Sequence, residues 1–230
     1  MQEQEVSVAQ AINDAPVQAA RLAELAAAHR AQHMQVDVPN TVAHWEPSAG
    51  TYCYQTHIAF GIEDRDTLNW LADTFYNAAT MTKQPWYAQF LGGQAEALDA
   101  PPAEGIDQHQ LAVGRFDLGL SRPRCYRQLV SLASHGETTR IIIARSVDEG
   151  PPIPDGTTLA YTLDPNGEVL HYENGLLHWH HICCTPGAGL LPQPADRWLI
   201  NTLRRLRLDS AERTTYREEA QELRAWVLAQ

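Results

Sequence analysis

Apolar and polar positions change rhythm along the chain, and the rhythm marks out its elements. Across residues 6–34 the spacing is helical, with Leu22, Leu25 and Ala26 on one weakly apolar stripe. Asp14-Ala15-Pro16 reads as a helix start, Asp14 as N-cap and the proline in the first turn. Residues 35–50, with Pro39 and Pro47, read as a connecting loop. Residues 52–62 alternate with period two, placing Tyr52, Tyr54, Thr56, Ile58 and Phe60 on one face of a strand. Leu68, Leu71, Phe75 and Ala78 return to spacings of three and four, which predicts an amphipathic helix ending before Pro85. Residues 94–107 are rich in proline and acid and leave room for one edge strand; 108–118 predict another.

Residues 119–192 carry the clearest pattern. Short runs at 125–134, 138–147 and 157–163 precede a longer one at 168–184. Turn chemistry separates them: His135-Gly136, Glu149-Gly150-Pro151-Pro152, Asp155-Gly156 and Asn166-Gly167. Such punctuation predicts an antiparallel meander. Residues 196–208 are helical in spacing, with Trp198, Leu199, Leu203 and Leu206 on one face. Asp209-Ser210-Ala211-Glu212 has the form of a capping box and restarts a helix through Trp226. A curved sheet followed by one long helix is a way to enclose an apolar cavity.

Composition narrows the partners. With 230 residues, 44% of them hydrophobic, the chain can bury one sizeable core. A net charge of −11 repels phosphate backbones, so nucleic acid is not an expected partner. Arg204, Arg205 and Arg207 form the one basic cluster and read as a solvated helix face. The acidic start, Met1-Gln2-Glu3-Gln4-Glu5, lacks the basic and apolar character of a secretory leader. No window approaches the ~18 apolar residues of a membrane span. The cysteines are Cys53, Cys125, Cys183 and Cys184; neighbouring Cys183 and Cys184 do not suggest a bridge, so reduced thiols and a cytoplasmic location are expected.

Several segments, taken in order, resemble a known family. They are Gln84-Pro85-Trp86, Arg122-Pro123-Arg124 with Tyr126, Ile141 to Ser146 followed by the proline-bearing stretch 149–156, and Gly187-Ala188-Gly189-Leu190-Leu191-Pro192. Together they resemble the START (steroidogenic acute regulatory protein-related lipid transfer) family of the Bet v 1-like, or helix-grip, superfamily. The resemblance runs over nearly the whole chain and is strongest across 119–205. It implies an α+β helix-grip fold: a curved antiparallel sheet wrapped around a long C-terminal helix, with an internal ligand cavity. Residues 45–230 would form that domain and residues 1–44 a helical extension packing on it. The loop 148–156 and the helix after Pro192 would form a lid. Animal sterol-binding members carry a buried acidic–basic pair; the matching positions here are Leu111 and Val130, so sterol binding is not carried over.

Candidate chemistry lies on the strands. His178 and His180 share a face and His181 has the other. The faces are Leu176, His178, His180, Ile182 and Cys184 against Leu177, Trp179, His181 and Cys183. The second is bulkier and would fill a core; the first carries two imidazoles for a ligand head group or for acid–base work and is read as facing the cavity. His178 and His180 could also start a metal site, with His57, His171 or Glu173 as a third ligand, but no local spacing nominates one, and no metal or cofactor is expected. Arg127 and Arg145 stand inside apolar alternation and need carboxylates, from a ligand or from Asp117 or Glu137. Tyr161 and Trp198 on the last helix complete the set of ligand contacts; Tyr126, in the opposite phase to Tyr161, offers a second hydroxyl, though a tyrosine on a half-buried sheet is more often packing. Ser121, Ser131 and Ser146 lie in no nucleophile elbow, and no glycine-rich nucleotide loop is present. Cys183 and Cys184 adjoin His180 and His181, but successive strand residues diverge, so no Cys–His dyad is expected.

Two functions follow. The first is a carrier or binding protein for a hydrophobic small molecule, lipid or polyketide-like, with membrane contact only in transit. The second is a helix-grip enzyme, of the polyketide cyclase or metal-dependent hydrolase type, using His178, His180 and Tyr161 as catalytic groups.

Overall fold

The computed structural model describes residues 5–32, 40–45, 52–61, 65–85, 87, 89–100, 103–117, 122–185 and 221–229. The strands are β1 (Asn40–Trp45), β2 (Tyr52–Gly61), β3 (Phe90–Ala97), β4 (Ile106–Phe116), β5 (Arg124–His135), β6 (Thr139–Ser146), β7 (Thr158–Ala160), β8 (Leu163–Glu173) and β9 (Leu176–Thr185). The helices are α1 (Val8–Gln32), α2 (Asp66–Tyr76) and a C-terminal segment, α3, at 221–227. The strands form one curved sheet in the order β1-β2-β9-β8-β6-β5-β4-β3, antiparallel throughout except that β7 lies parallel to the start of β5. This is the expected α+β architecture.

Period-two alternation gives the sheet two apolar faces, each covered by helix. On one face Leu68, Leu71 and Phe75 of α2 and Leu223 and Val227 of α3 pack on Ile58, Phe60, Ile142, Leu170, Leu177 and Trp179. Trp70 of α2 stacks on Trp226 of α3, ring centroids 5.0 Å apart. On the opposite face Ala15, Ala19, Leu22 and Ala26 of α1 pack on Ile141, Ile143, Val169 and Ile182. The small alanines bring α1 close to the strands, and Leu22 is fully buried between them. Burying a leucine contributes roughly 1.5–3 kcal/mol, so Leu22 helps to fasten α1 to the sheet.

Several sequence expectations change. Helix α1 begins at Val8, where the Ser7 hydroxyl accepts from the Gln10 amide at 3.2 Å, so Pro16 lies inside the helix and Asp14 is not its cap. Residues 40–45 form β1 rather than loop, pairing with β2, and the division drawn at residue 44 falls inside that strand. The long run at 168–184 is two strands. Asn174 (φ 52°) and Gly175 (φ 77°) turn the chain between Glu173 and Leu176, the two-residue hairpin that Asn-Gly favours. Asn166-Gly167, by contrast, lies inside β8, where the ladder to β9 is irregular. Gly167 is a point of close approach: a Cβ there would meet the Ile142 carbonyl at 2.1 Å and Leu22 at 3.0 Å.

The thiols also differ from expectation. Cys53 and Cys184 stand opposite each other on β2 and β9, with Cα atoms 4.1 Å apart, and form a disulfide. Cys183 points to the other face and remains free, as does buried Cys125. Partners 131 residues apart become neighbours only once β2 pairs with β9. Such bridges persist in oxidising compartments, so reduced thiols no longer argue for a cytoplasmic location.

Candidate functional site

The apolar face covered by α2 and α3 carries a compact polar group on β8 and β9. Glu168 lies between Ile142 on β6 and His181 on β9. A carboxylate on such a wall needs partners, and it has two. Its Oε1 is 2.5 Å from His181 Nδ1, and its Oε2 accepts from the Trp179 indole N–H at 2.6 Å. Trp179 in turn stacks against Phe75 of α2, ring centroids 5.9 Å apart. Burial alone would lower the His181 pKa, but the charge and hydrogen bond of Glu168, together with Cys183, raise it well above the ordinary 6.5. His181 is thus held as an imidazolium at neutral pH. Its side chain is 30% accessible.

A second polar patch borders this face at the far end of β5 and β6. The Gln128 amide donates to the Thr162 hydroxyl at 3.0 Å, and Ser146 accepts from the Thr162 amide at 2.9 Å. Asn166 donates to the Ala144 carbonyl at 2.8 Å. Tyr126 projects from the same face and meets Phe116 edge-on at 5.5 Å. Burial pushes its phenol up to about 12, so it stays a hydrogen-bond donor at any ordinary pH.

The residues nominated from sequence lie elsewhere. His178 and His180 do share a face, as expected, but it is the face under α1. His180 is fully buried, stacked on His57 with centroids 4.2 Å apart and bonded to Gln55 at 3.1 Å. His178 Nδ1 is 3.1 Å from His57 Nε2, and His29 of α1 closes over His57 at 5.8 Å. The bulkier register, Leu177 and Trp179, is the one that meets α2. His178 and His180 therefore pack under α1 rather than toward α2 and α3; the expected last helix at 196–208 lies outside the described residues. Among the described residues no group of three or more His, Cys, Asp or Glu side chains could hold a metal ion.

The arginines also belong to the α1 face. Arg127 donates to Glu5 at 3.3 Å and to the Val147 carbonyl at 3.1 Å. Arg145 is bound by Asp14 of α1 and by Asp164, the latter at 3.1 Å. Neither of the cross-strand partners considered, Asp117 or Glu137, is used by them; the carboxylates come from the N-terminal segment and from β8. Tyr161 is half-buried in the connection between β7 and β8. The loop 148–156 starts against the N-terminal segment, where the Asp148 amide donates to Val6. Trp86, Trp198, the segment 187–192, the three arginines at 204–207 and the capping box at 209–212 lie outside the described residues.

Sequence reasoning missed Glu168, His181 and Cys183. The signal that finds them is the alternation itself: His181 and Cys183 are two apart, so they share a face, and Glu168 is His181's register partner.

No family model matches the sequence, and no curated protein matches it. Solved structures do. The human StAR-related lipid transfer protein 5 superposes with a TM-score of 0.53 at 13% identity, covering 92% of this chain and 97% of that one. A STAR-related lipid transfer protein from Xanthomonas axonopodis gives 0.50 at 13% identity, covering 82% and 99%. The chain has the START-like helix-grip fold. In this chain α1 backs the sheet on one side, while α2 and α3 cover the other. No helix among the described residues is long and apolar enough to cross a membrane.

Proposed function

We propose that the protein binds one hydrophobic small molecule against the α2 face of the sheet, as a carrier or binding protein. The observation that carries this reading is the Glu168–His181–Trp179 group, a fixed polar anchor beside the apolar cluster under α2. Burial of the ligand supplies the affinity, and the anchor sets its orientation. The two solved structures described above are lipid transfer proteins by name, which supports the same reading.

The anchor also favours a ligand class. Glu168 and His181 neutralise one another, and Arg127 and Arg145, the groups nominated to receive a carboxylate, are occupied by Glu5, Asp14 and Asp164. The fitting ligand is a neutral amphiphile with a hydroxyl or carbonyl group. Native mass spectrometry of the purified protein tests this. The expected result is uptake of one long-chain alcohol or ester per chain, in preference to the matching fatty acid. Failure to take up any apolar molecule stoichiometrically would refute the reading.

A further inference from the structure

We propose that Cys183, His181 and Glu168 form a nucleophile, base and positioning carboxylate for acyl transfer on the α2 face. The inference rests on the hydrophobic-ligand reading above and adds a reaction to it.

The three residues come together for local reasons. Cys183 follows His181 by two on β9, so their side chains leave the same face. Cys183 is also one of the groups that raise the His181 pKa. On the neighbouring strand Glu168 is the register partner of His181 and meets its Nδ1 at 2.5 Å. Trp179 holds the second carboxylate oxygen at 2.6 Å, so Glu168 cannot rotate away without breaking that bond. The order thiol, imidazole, carboxylate is that of an activated nucleophile whose base is oriented by a third group.

Other features of the site agree with this assignment. Cys183 is free and half-buried, whereas its neighbour Cys184 is locked to Cys53 on the opposite face. An imidazolium held charged beside a thiol favours the thiolate, and Glu168 holds His181 in that state. Tyr126 lies close enough to Cys183 for the two to interact electrostatically, and its phenol remains protonated.

The chemistry balances without an oxidant or a metal. The thiol proton already resides on His181, and the Cys183 sulfur, as thiolate, forms a bond to the carbonyl carbon of an apolar ester. The ester C–O bond breaks, and the proton passes from His181 to the departing alcohol, leaving an S-acyl thioester. Water then attacks the thioester with His181 taking its proton, the C–S bond breaks, and the thiol and a carboxylic acid result. The substrate class is an ester with a long apolar acyl chain, neutral as the anchor requires. Cys183 and His181 are the catalytic residues; Glu168 acts through His181.

The test uses the full chain with para-nitrophenyl decanoate, reading nitrophenolate release and the intact mass of the protein. A burst of one nitrophenolate per chain is expected, with the acyl group mapped to Cys183 and not to Cys125. Cys183→Ala should abolish the burst, and His181→Gln should slow it by about 100-fold or more. Glu168→Gln should move the rate-against-pH profile toward lower pH, which a purely structural loss would not do. Decan-1-ol, which cannot react, is titrated in parallel. Decanol binding without acylation of Cys183, or acylation at an unchanged rate in His181→Gln, would overturn this inference alone. Absence of binding by either compound would overturn it together with the ligand reading.

Discussion

Glu168 and His181 face each other across β8 and β9 with a carboxylate oxygen 2.5 Å from a ring nitrogen, beside the apolar cluster under α2. Their pairing raises the His181 pKa above its unfolded value of 6.5. The stability it contributes is therefore fully present below pH 6.5 and lost as pH rises through the raised folded value. Thermal unfolding from pH 6 to 10 should show wild type losing more than His181→Gln. Parallel curves for the two proteins would contradict the pairing.

His109 has the opposite sign. It is bonded to Ser131 at 2.8 Å under α1, and burial lowers its pKa below 6.5. Its contribution is present above 6.5 and is lost as pH falls through the lowered folded value. Its ring protons, followed by NMR, should titrate below the range of a free imidazole. Titration at or above 6.5 would show that it is not desolvated.

Arg145 is the clamp between α1 and the sheet. Arg145→Met strands Asp164, whose pKa is already raised by burial against the pull of Arg145. Removing one partner of a buried pair costs about 3 kcal/mol, readable in urea denaturation. Asp14→Asn should cost less, because Asp14 is partly exposed. Ligand uptake by folded Arg145→Met should be unchanged; its loss would place this arginine at the ligand.

The Cys53–Cys184 bridge closes a loop with a sequence separation of 131. Replacing both cysteines by alanine should cost about 2–4 kcal/mol. Non-reducing peptide mapping should recover the cross-linked pair, with Cys125 and Cys183 alkylated after denaturation. Recovery of alkylated Cys184 would refute the bridge.

Gly167→Ala places a methyl against the Ile142 carbonyl and Leu22. The forced shift of β8 should destabilise by about 1–3 kcal/mol. A neutral effect would mean that the strands can part at this point without cost.

Much of the fold was legible because alternation and turn residues act locally. The faces of β2, the limits of β5 and β6 and the amphipathic α2 follow from spacing alone. Which face of β9 meets which helix does not, since both registers are apolar enough to be buried, and α1 and α2 compete for them. Placing His178 and His180 toward the last helix assumed that polar residues line the ligand space. Instead they hydrogen-bond and stack with Gln55 and His57 beneath α1. Arg127 and Arg145 needed carboxylates, as their apolar setting demanded, but those partners come from residues 5 and 14, which no short-range pattern links to the strands. The Cys–His relation was overlooked by comparing adjacent residues where the strand repeats every second one.

The central claim, one apolar ligand on the α2 face, is tested most directly by photo-crosslinking. A long-chain alcohol carrying a diazirine is bound, irradiated and mapped residue by residue. Saturable labelling at one probe per chain, on Trp179, His181 or Tyr172 and competed by unlabelled alcohol, is the predicted result. Labelling that does not saturate, or that falls on the α1 face around His178, His180 and Ile182, would contradict it.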